Sequence, residues 1–104
     1  MNIAVSVSGF LADSDSYELA PEDPKPGAQE FMAELQKRGH WLIIHDWRAN
    51  EHNKFTALKN WLFRNGVDFG EIWVSSGKPN ADVVLDGLAP GAITDFTTLL
   101  QEIG

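Results

Sequence analysis

The sequence predicts an α/β fold in which a mainly parallel four-stranded sheet carries helices on its faces. Short apolar runs rich in β-branched residues alternate with segments whose apolar residues recur at helical spacing. Strands that alternate with helices form parallel sheets through right-handed crossovers. Glycines and prolines separate the segments, and no internal repeat or low-complexity tract interrupts them.

The first strand is predicted over residues 2–7, where a short apolar run stops just before Gly9. A polar stretch with five acids and two prolines follows, which predicts a loop. The first helix is predicted over residues 27–38 because apolar residues follow the i, i+3, i+4, i+7 spacing until Gly39. Those apolar residues are Ala28, Phe31, Met32 and Leu35.

The same two patterns predict the remaining elements. Strands are predicted over residues 41–45, 71–74 and 81–85, and helices over residues 54–65 and 94–103. Asn53 and Thr94 are the predicted N-caps, and Gly66 is the predicted stop of the second helix.

Composition limits what the chain can do. Its 104 residues form one predicted domain, residues 1–104, and a 43% hydrophobic fraction is enough for a core. The formal charge of −7 argues against binding to nucleic-acid phosphates. No cysteine is present, and no apolar run is long enough to cross a membrane. We therefore expect a cytoplasmic, acidic protein that binds neither nucleic acid nor membrane.

Polar and glycine residues follow the predicted strands, at the edge where α/β sheets bind ligands. Four longer segments contain or flank these strand ends: MNIAVSVSGFL, PGAQEFMAELQKRGHWLIIHDWR, WLFRNGVDF and GKPNADVVLDG. Together they resemble the haloacid dehalogenase (HAD) superfamily of phosphohydrolases, in its small and nearly capless members, over most of the chain. The resemblance implies a three-layer, Rossmann-like fold with strand order 3-2-1-4.

The first catalytic motif of that family is changed in this chain. The family's first strand carries D-x-D-G-T, in which the first Asp is the nucleophile and the second is the general acid and base. The corresponding positions here are Ser6 and Ser8, and Phe10 stands at the Thr position. Serine hydroxyls are weak nucleophiles unless a base activates them, so we expect no catalytic residue here.

The other three motifs are kept in part. Asp46 stands where the family has a Thr or Ser that hydrogen-bonds the phosphoryl group. Lys78 of G-K-P is preserved, and so is Asp86, but Gly87 replaces the second acid of that pair. Asp46 and Asp86 would lie roughly 10 Å apart across the sheet, a strained distance for one Mg²⁺. We therefore expect no metal and no cofactor, with Mg²⁺ entering only through a residual site at these two carboxylates.

The predicted ligand site collects the kept and changed positions. Its members are Ser6, Ser8, Gly9, Phe10, Asp46, Trp47, Arg48, Lys78 and Asp86. Lys78 either binds an anion, aided by backbone N–H groups of the turn at Gly9, or neutralises Asp46 and Asp86. Both interpretations stay open.

The other members of the site also have two interpretations each. Ser6 and Ser8 either contact a ligand or fill a retired site, and Arg48 either contacts an anion or lies on the surface. Trp47 either stacks on a base or sugar ring or forms an oligomer contact. The remaining tryptophans are predicted to be core residues: Trp41, Trp61 and Trp73.

The leading hypothesis is a catalytically inactive phosphatase-like protein that binds a small phosphorylated, nucleotide-like ligand at the former active site. One alternative is a protein interaction scaffold, self-association included, with the face around Trp47 or Trp73 as its contact surface. Another is a weak or altered Mg²⁺-dependent phosphohydrolase that uses Asp46.

Overall fold

A computed structural model of the chain describes residues 1–7, 9–12, 23–46, 49, 55–74, 77, 79–85 and 95–104. These residues form four strands and three helices. In chain order they are β1 (Asn2–Val5), α1 (Ala28–Lys37), β2 (Trp41–Ile44), α2 (Phe55–Arg64), β3 (Glu71–Ile72), β4 (Val83–Leu85) and α3 (Phe96–Ile103).

The four strands form one sheet in the order β3-β2-β1-β4, and every pairing is parallel. Val5 of β1 lies opposite Ile44 of β2 on one side and Leu85 of β4 on the other. The predicted α/β class, parallel sheet and 3-2-1-4 order are therefore confirmed. Because β1 is central, the residues that follow it have a neighbouring strand end on each side.

The observed strands are shorter than predicted, whereas the helices agree within two residues. After β1 the chain turns back on itself, since the amides of Leu11 and Ala12 both donate to the Val7 carbonyl, at 3.2 and 3.0 Å. Gly39 and Gly66 stop their helices as predicted, with φ values of 92° and 63°.

The N-cap of α3 is Asp95, one residue after the predicted Thr94, which lies outside the described residues. The Asp95 carboxylate accepts hydrogen bonds from the Thr98 amide at 3.0 Å and the Thr98 hydroxyl at 2.7 Å. The backbone bond from Thr98, more than any other contact, lowers the pKa of Asp95. Thr and Asp are both common at N-caps, and here the hydrogen bonds from Thr98 identify Asp95 as the N-cap. The other predicted cap, Asn53, also lies outside the described residues.

The core lies between the sheet and the apolar faces of the helices. Trp61 is fully buried on α2, as predicted, and Phe31 and Leu35 of α1 are buried with the centres of β1 and β2. Trp41 was predicted to be core and is not: 48% of it is exposed, because it opens β2 at the rim of the sheet. Trp73 is half-buried.

Helix α1 packs against both β2 and α3. Arg38, just past the end of α1, ties the two helices together, since its Nη1 donates to the Leu100 carbonyl at 2.7 Å and its Nε to the Glu34 carboxylate at 3.1 Å. Within the described ranges, no helix has the length and apolar character that a membrane span requires.

Candidate functional site at the carboxyl edge of the sheet

The site is built on the carboxyl end of β1, where two of the predicted residues lie at the same edge of the sheet. The Ser6 amide donates to the Leu85 carbonyl at 2.9 Å, and the His45 amide donates to the Val5 carbonyl at 2.8 Å. Both ladders thus continue one residue past β1 and β2. Ser6 and Asp46 therefore lie at the same edge of the sheet, just past the ends of β1 and β2. Neighbouring strands of a sheet are about 4.8 Å apart.

Asp46 is buried, with only 4% of its surface exposed. Continuing the register of β1 and β2 by two residues brings it level with Val7. Its backbone carbonyl accepts a hydrogen bond from the Ala49 amide at 3.0 Å. The side chain has interactions of its own, as does that of the half-buried Ser6. A buried carboxylate must be paired or hydrogen-bonded, so Asp46 is a constrained group.

The turn after β1 engages the Gly9 amide internally. Gly9 has φ 77°, a left-handed conformation that favours glycine, and its N–H donates to the Ala12 carbonyl at 2.8 Å. We expected turn amides to assist anion binding; for the Gly9 amide that expectation is corrected, because the amide already has a partner.

Phe10 belongs to the core by its side chain. Its ring packs edge-on against Phe31 and Phe96, with centroid distances of 5.9 and 5.7 Å, and only 3% of the residue is exposed. Any contact between Phe10 and a ligand would therefore come from its backbone. The ring contacts with Phe31 and Phe96 therefore attach the turn after β1 to the core.

Lys25 is a site residue that sequence reasoning missed. It is buried, with 6% exposed, and its Nζ donates to the Gly9 carbonyl at 2.7 Å. Lysines beside prolines and acids are ordinarily solvated, so the pattern indicated a loop residue. One signal was present, because Lys25 is the first basic residue of the chain and follows five acids.

Five predicted site residues lie outside the described residues: Ser8, Trp47, Arg48, Lys78 and Asp86. The chain on either side of Lys78 is described. Gly77 has φ 83°, its carbonyl accepts a hydrogen bond from the Trp73 indole N–H at 3.1 Å, and Pro79 is buried. A half-buried tryptophan therefore holds the peptide immediately before Lys78.

The described residues of the carboxyl edge offer Mg²⁺ few of the ligands that it prefers. The ion prefers octahedral coordination with charged oxygens, and among the described residues Asp46 supplies one carboxylate beside the neutral hydroxyl of Ser6. In the same residues no group of three or more His, Asp or Glu side chains is placed to hold a metal.

Comparison with known proteins gives a sequence relative and a structural neighbour. No family model matches the chain. A 2-hydroxyisoflavanone dehydratase from Glycyrrhiza echinata is 31% identical over 83 residues, which are 80% of this chain but 23% of that enzyme. The chain thus spans about a quarter of the dehydratase, whose activity is a property of the longer protein. The crystal structure of an MCSG target from Vibrio cholerae superposes with a TM-score of 0.62 at 16% identity, covering 99% of this chain and 98% of that one. The two chains therefore share a fold over nearly their whole lengths at low sequence identity.

Proposed function

We propose that the chain is a catalytically inactive relative of the HAD phosphohydrolases that binds a small phosphorylated ligand, nucleotide-like in character, at the carboxyl edge of β1. The observation that supports this most is Ser6, a half-buried hydroxyl at the end of the central strand and next to the strand end that carries buried Asp46. A hydroxyl there can hydrogen-bond a phosphoryl oxygen, but it lacks the charge to hold Mg²⁺ and needs a base to attack phosphorus.

Charge supports binding over catalysis at this edge. If Ser6 and Ser8 replace two carboxylates, two negative charges are absent from the place where an anion would lie. The total electrostatic repulsion of the anion is then weaker, and Asp46 is a remaining source of it. Lys25 adds a buried positive charge beside the turn. Lys78 would supply the direct charge-assisted contact.

The test is a thermal-shift screen of phosphorylated metabolites with and without Mg²⁺. A ligand at 100 times its Kd stabilises the folded state by about 2.7 kcal/mol, so a specific compound should raise Tm clearly and without Mg²⁺. The unmodified chain should not hydrolyse a generic aryl phosphate above background. The double variant Ser6→Asp with Ser8→Asp should gain measurable Mg²⁺ affinity. Turnover that chelation abolishes would overturn the inactive assignment and favour the hydrolase that uses Asp46.

Lys78→Ala tests the proposed anion contact directly. Loss of a charge-assisted hydrogen bond costs about 1.5–3 kcal/mol, so the affinity for the best compound of the screen should fall at least tenfold. The matched control is Lys59→Ala, which removes the same charge from the exposed surface of α2 and should leave affinity unchanged. Unchanged affinity in Lys78→Ala would assign Lys78 to neutralising acids instead.

A protein interaction scaffold is the second candidate, and one observation favours it. Trp41 and Phe63 are large apolar side chains that are 48% and 64% exposed. Trp41 lies opposite Asn2, at the other end of the sheet from Ser6. These residues would add a contact face to the predicted faces around Trp47 and Trp73. A scaffold predicts that no phosphorylated compound moves Tm, and that Trp41→Ala weakens association with a partner or a second copy.

A further inference from the structure

His45 and Trp73 follow directly after β2 and β3, as Ser6 follows β1. The backbone ladders continue into these residues. The His45 amide donates to the Val5 carbonyl at 2.8 Å, and the Trp73 amide donates to the Ile44 carbonyl at 2.9 Å. The register of the strands therefore makes Ser6, His45 and Trp73 the next row across the sheet.

The side chains of this row share one face of the sheet, because successive residues of a strand point to opposite faces. The members of the preceding row pack in or against the hydrophobic core: Val5, Ile44 and Ile72. The row of Ser6, His45 and Trp73 therefore lies on the face turned away from that core, and each of its members is half-buried. A hydroxyl, an imidazole and an indole thus follow one another from β1 to β3 at the proposed anion site.

The three side chains differ in what they can contact. Neighbouring strands are about 4.8 Å apart, so His45 is one strand spacing from Ser6, and Trp73 is two, about 10 Å. An imidazole N–H donates to phosphoryl oxygens, as a serine hydroxyl does. The Trp73 indole N–H donates to the Gly77 carbonyl at 3.1 Å, which restrains the ring, and aromatic rings stack on bases. The row therefore combines an anion contact with an aromatic contact.

We propose that the ligand of this site is a nucleoside monophosphate, with its phosphoryl group on Ser6 and His45 and its base on Trp73. The inference rests on the proposed function and deepens it, since it identifies the ligand class and two further binding residues. A nucleoside monophosphate carries phosphate and base on opposite sides of a ribose, which matches an anion contact and an aromatic ring that lie on different strands. One imidazole beside one hydroxyl suits a single phosphoryl group better than a chain of two or three.

Three probes divide the ligand into its parts: inorganic phosphate, ribose 5-phosphate and adenosine monophosphate. Each is titrated into ¹⁵N-labelled protein, and Kd is measured from amide and indole chemical shifts. Adenosine monophosphate should bind at least about fivefold more tightly than ribose 5-phosphate, because a base stacked on an aromatic side chain contributes that factor or more. The Trp73 indole N–H signal, assigned by its loss in Trp73→Phe, should shift farther with adenosine monophosphate than with ribose 5-phosphate.

Two variants separate stacking on Trp73 from its hydrogen bond to Gly77. Trp73→Phe keeps an aromatic face and loses the N–H donor, so the preference for adenosine monophosphate over ribose 5-phosphate should persist. Trp73→Leu loses both, and the preference should disappear. The control is Trp41→Leu, at the amino end of the sheet, which should leave the preference unchanged. Loss of the preference in both Trp73 variants would assign Trp73 to holding the Gly77 turn and would overturn the base contact.

His45→Ala tests the phosphoryl contact. It should weaken the binding of all three probes at least about fivefold, because each of them loses a hydrogen bond to a charged group. His40→Ala is the matched control, since His40 is also half-buried and lies just before β2, at the opposite end of that strand. It should leave all three affinities unchanged. If His45→Ala does not fold, His45→Leu keeps most of the volume without a donor, and the same loss is expected.

The outcomes separate the two proposals. If the unmodified chain binds none of the three probes, the proposed function fails at its phosphoryl contact, and the ligand class fails with it. If the chain binds inorganic phosphate, but binds adenosine monophosphate no more tightly than ribose 5-phosphate and without a shift of the Trp73 indole signal, the proposed function stands and the ligand class is overturned. Unchanged affinities in the folded His45 variant overturn the contact assigned to His45.

Discussion

The two ends of the sheet differ in the groups that their side chains contact, and the hydrogen bonds of one tryptophan at each end illustrate the difference. At the carboxyl end, the Trp73 indole N–H donates to a backbone carbonyl, that of Gly77. At the amino end, the Trp41 indole N–H donates to a side chain, the Glu71 carboxylate at 2.9 Å, and its ring lies against Gly70. The first contact holds a backbone group, whereas the second joins two side chains, one on β2 and one on β3.

The same contrast extends to the neighbouring residues. The carboxyl end buries two charged side chains, Lys25 and Asp46, and the Lys25 ammonium holds the backbone carbonyl of Gly9. The amino end exposes Trp41 and Phe63 and shapes its surface with aromatic rings. A region that buries charge and fixes backbone groups is suited to a small polar ligand, and one that exposes rings is suited to a flat partner surface.

The largest expected effect contrasts one phenylalanine from each end. Phe10→Ala removes a buried ring that contacts two others, so the free energy of unfolding should fall by about 3–5 kcal/mol. Phe63→Ala removes a mostly exposed ring that touches Phe69 at its edge, and should cost less than about 1 kcal/mol. Urea unfolding of the three proteins measures both values. Equal losses would contradict the contrast.

A smaller effect is expected at Gly70, where a Cβ would lie 2.7–2.8 Å from three atoms of the Trp41 ring. Gly70→Ala must displace the indole from Glu71 or shift the backbone, and should lower the free energy of unfolding by about 1–2 kcal/mol. In a Trp41→Ala background the obstacle is gone, so the same substitution should cost less than about 0.5 kcal/mol. A double-mutant cycle tests this coupling, and additive losses would show that the ring does not limit Gly70.

The smallest effect concerns the cap of α3. The pKa of Asp95 is lowered below its usual 3.8 chiefly by the backbone hydrogen bond from Thr98, so ionised Asp95 stabilises the folded state. That contribution is fully present at neutral pH and is lost as the pH falls through the folded-state pKa. Asp95→Ala should therefore lower Tm slightly at pH 7, with the gap to the unmodified protein narrowing in acid. Exposed Glu102→Ala is the control, and a gap independent of pH would exclude this linkage.

Local sequence patterns predicted the helices and strands because the position of each one depends on only a few neighbouring residues. Glycine stops such as Gly39 and Gly66 depend on one backbone conformation, and the strand order followed from the family resemblance. The prediction that Trp41 is a core residue was wrong because membership of a strand does not say how close to the rim of the sheet a residue lies. The burial of Lys25 was missed because it depends on a carbonyl 16 residues earlier, and periodicity carries no such information. Asp46 and Ser6 could be assigned to one edge since parallel strands end together.

The hydrogen bond from the Lys25 amide to the Leu11 carbonyl also sets where this chain can be rebuilt. It closes a stem between the turn after β1 and the start of α1, so Leu11 and Lys25 stay together through a backbone contact of their own. Lengthening a loop between fixed ends is inexpensive in general, with each doubling adding only about 0.6 kcal/mol of closure entropy. A binding peptide or a second domain inserted between residues 12 and 23 would therefore be closed by a stem that is already in place.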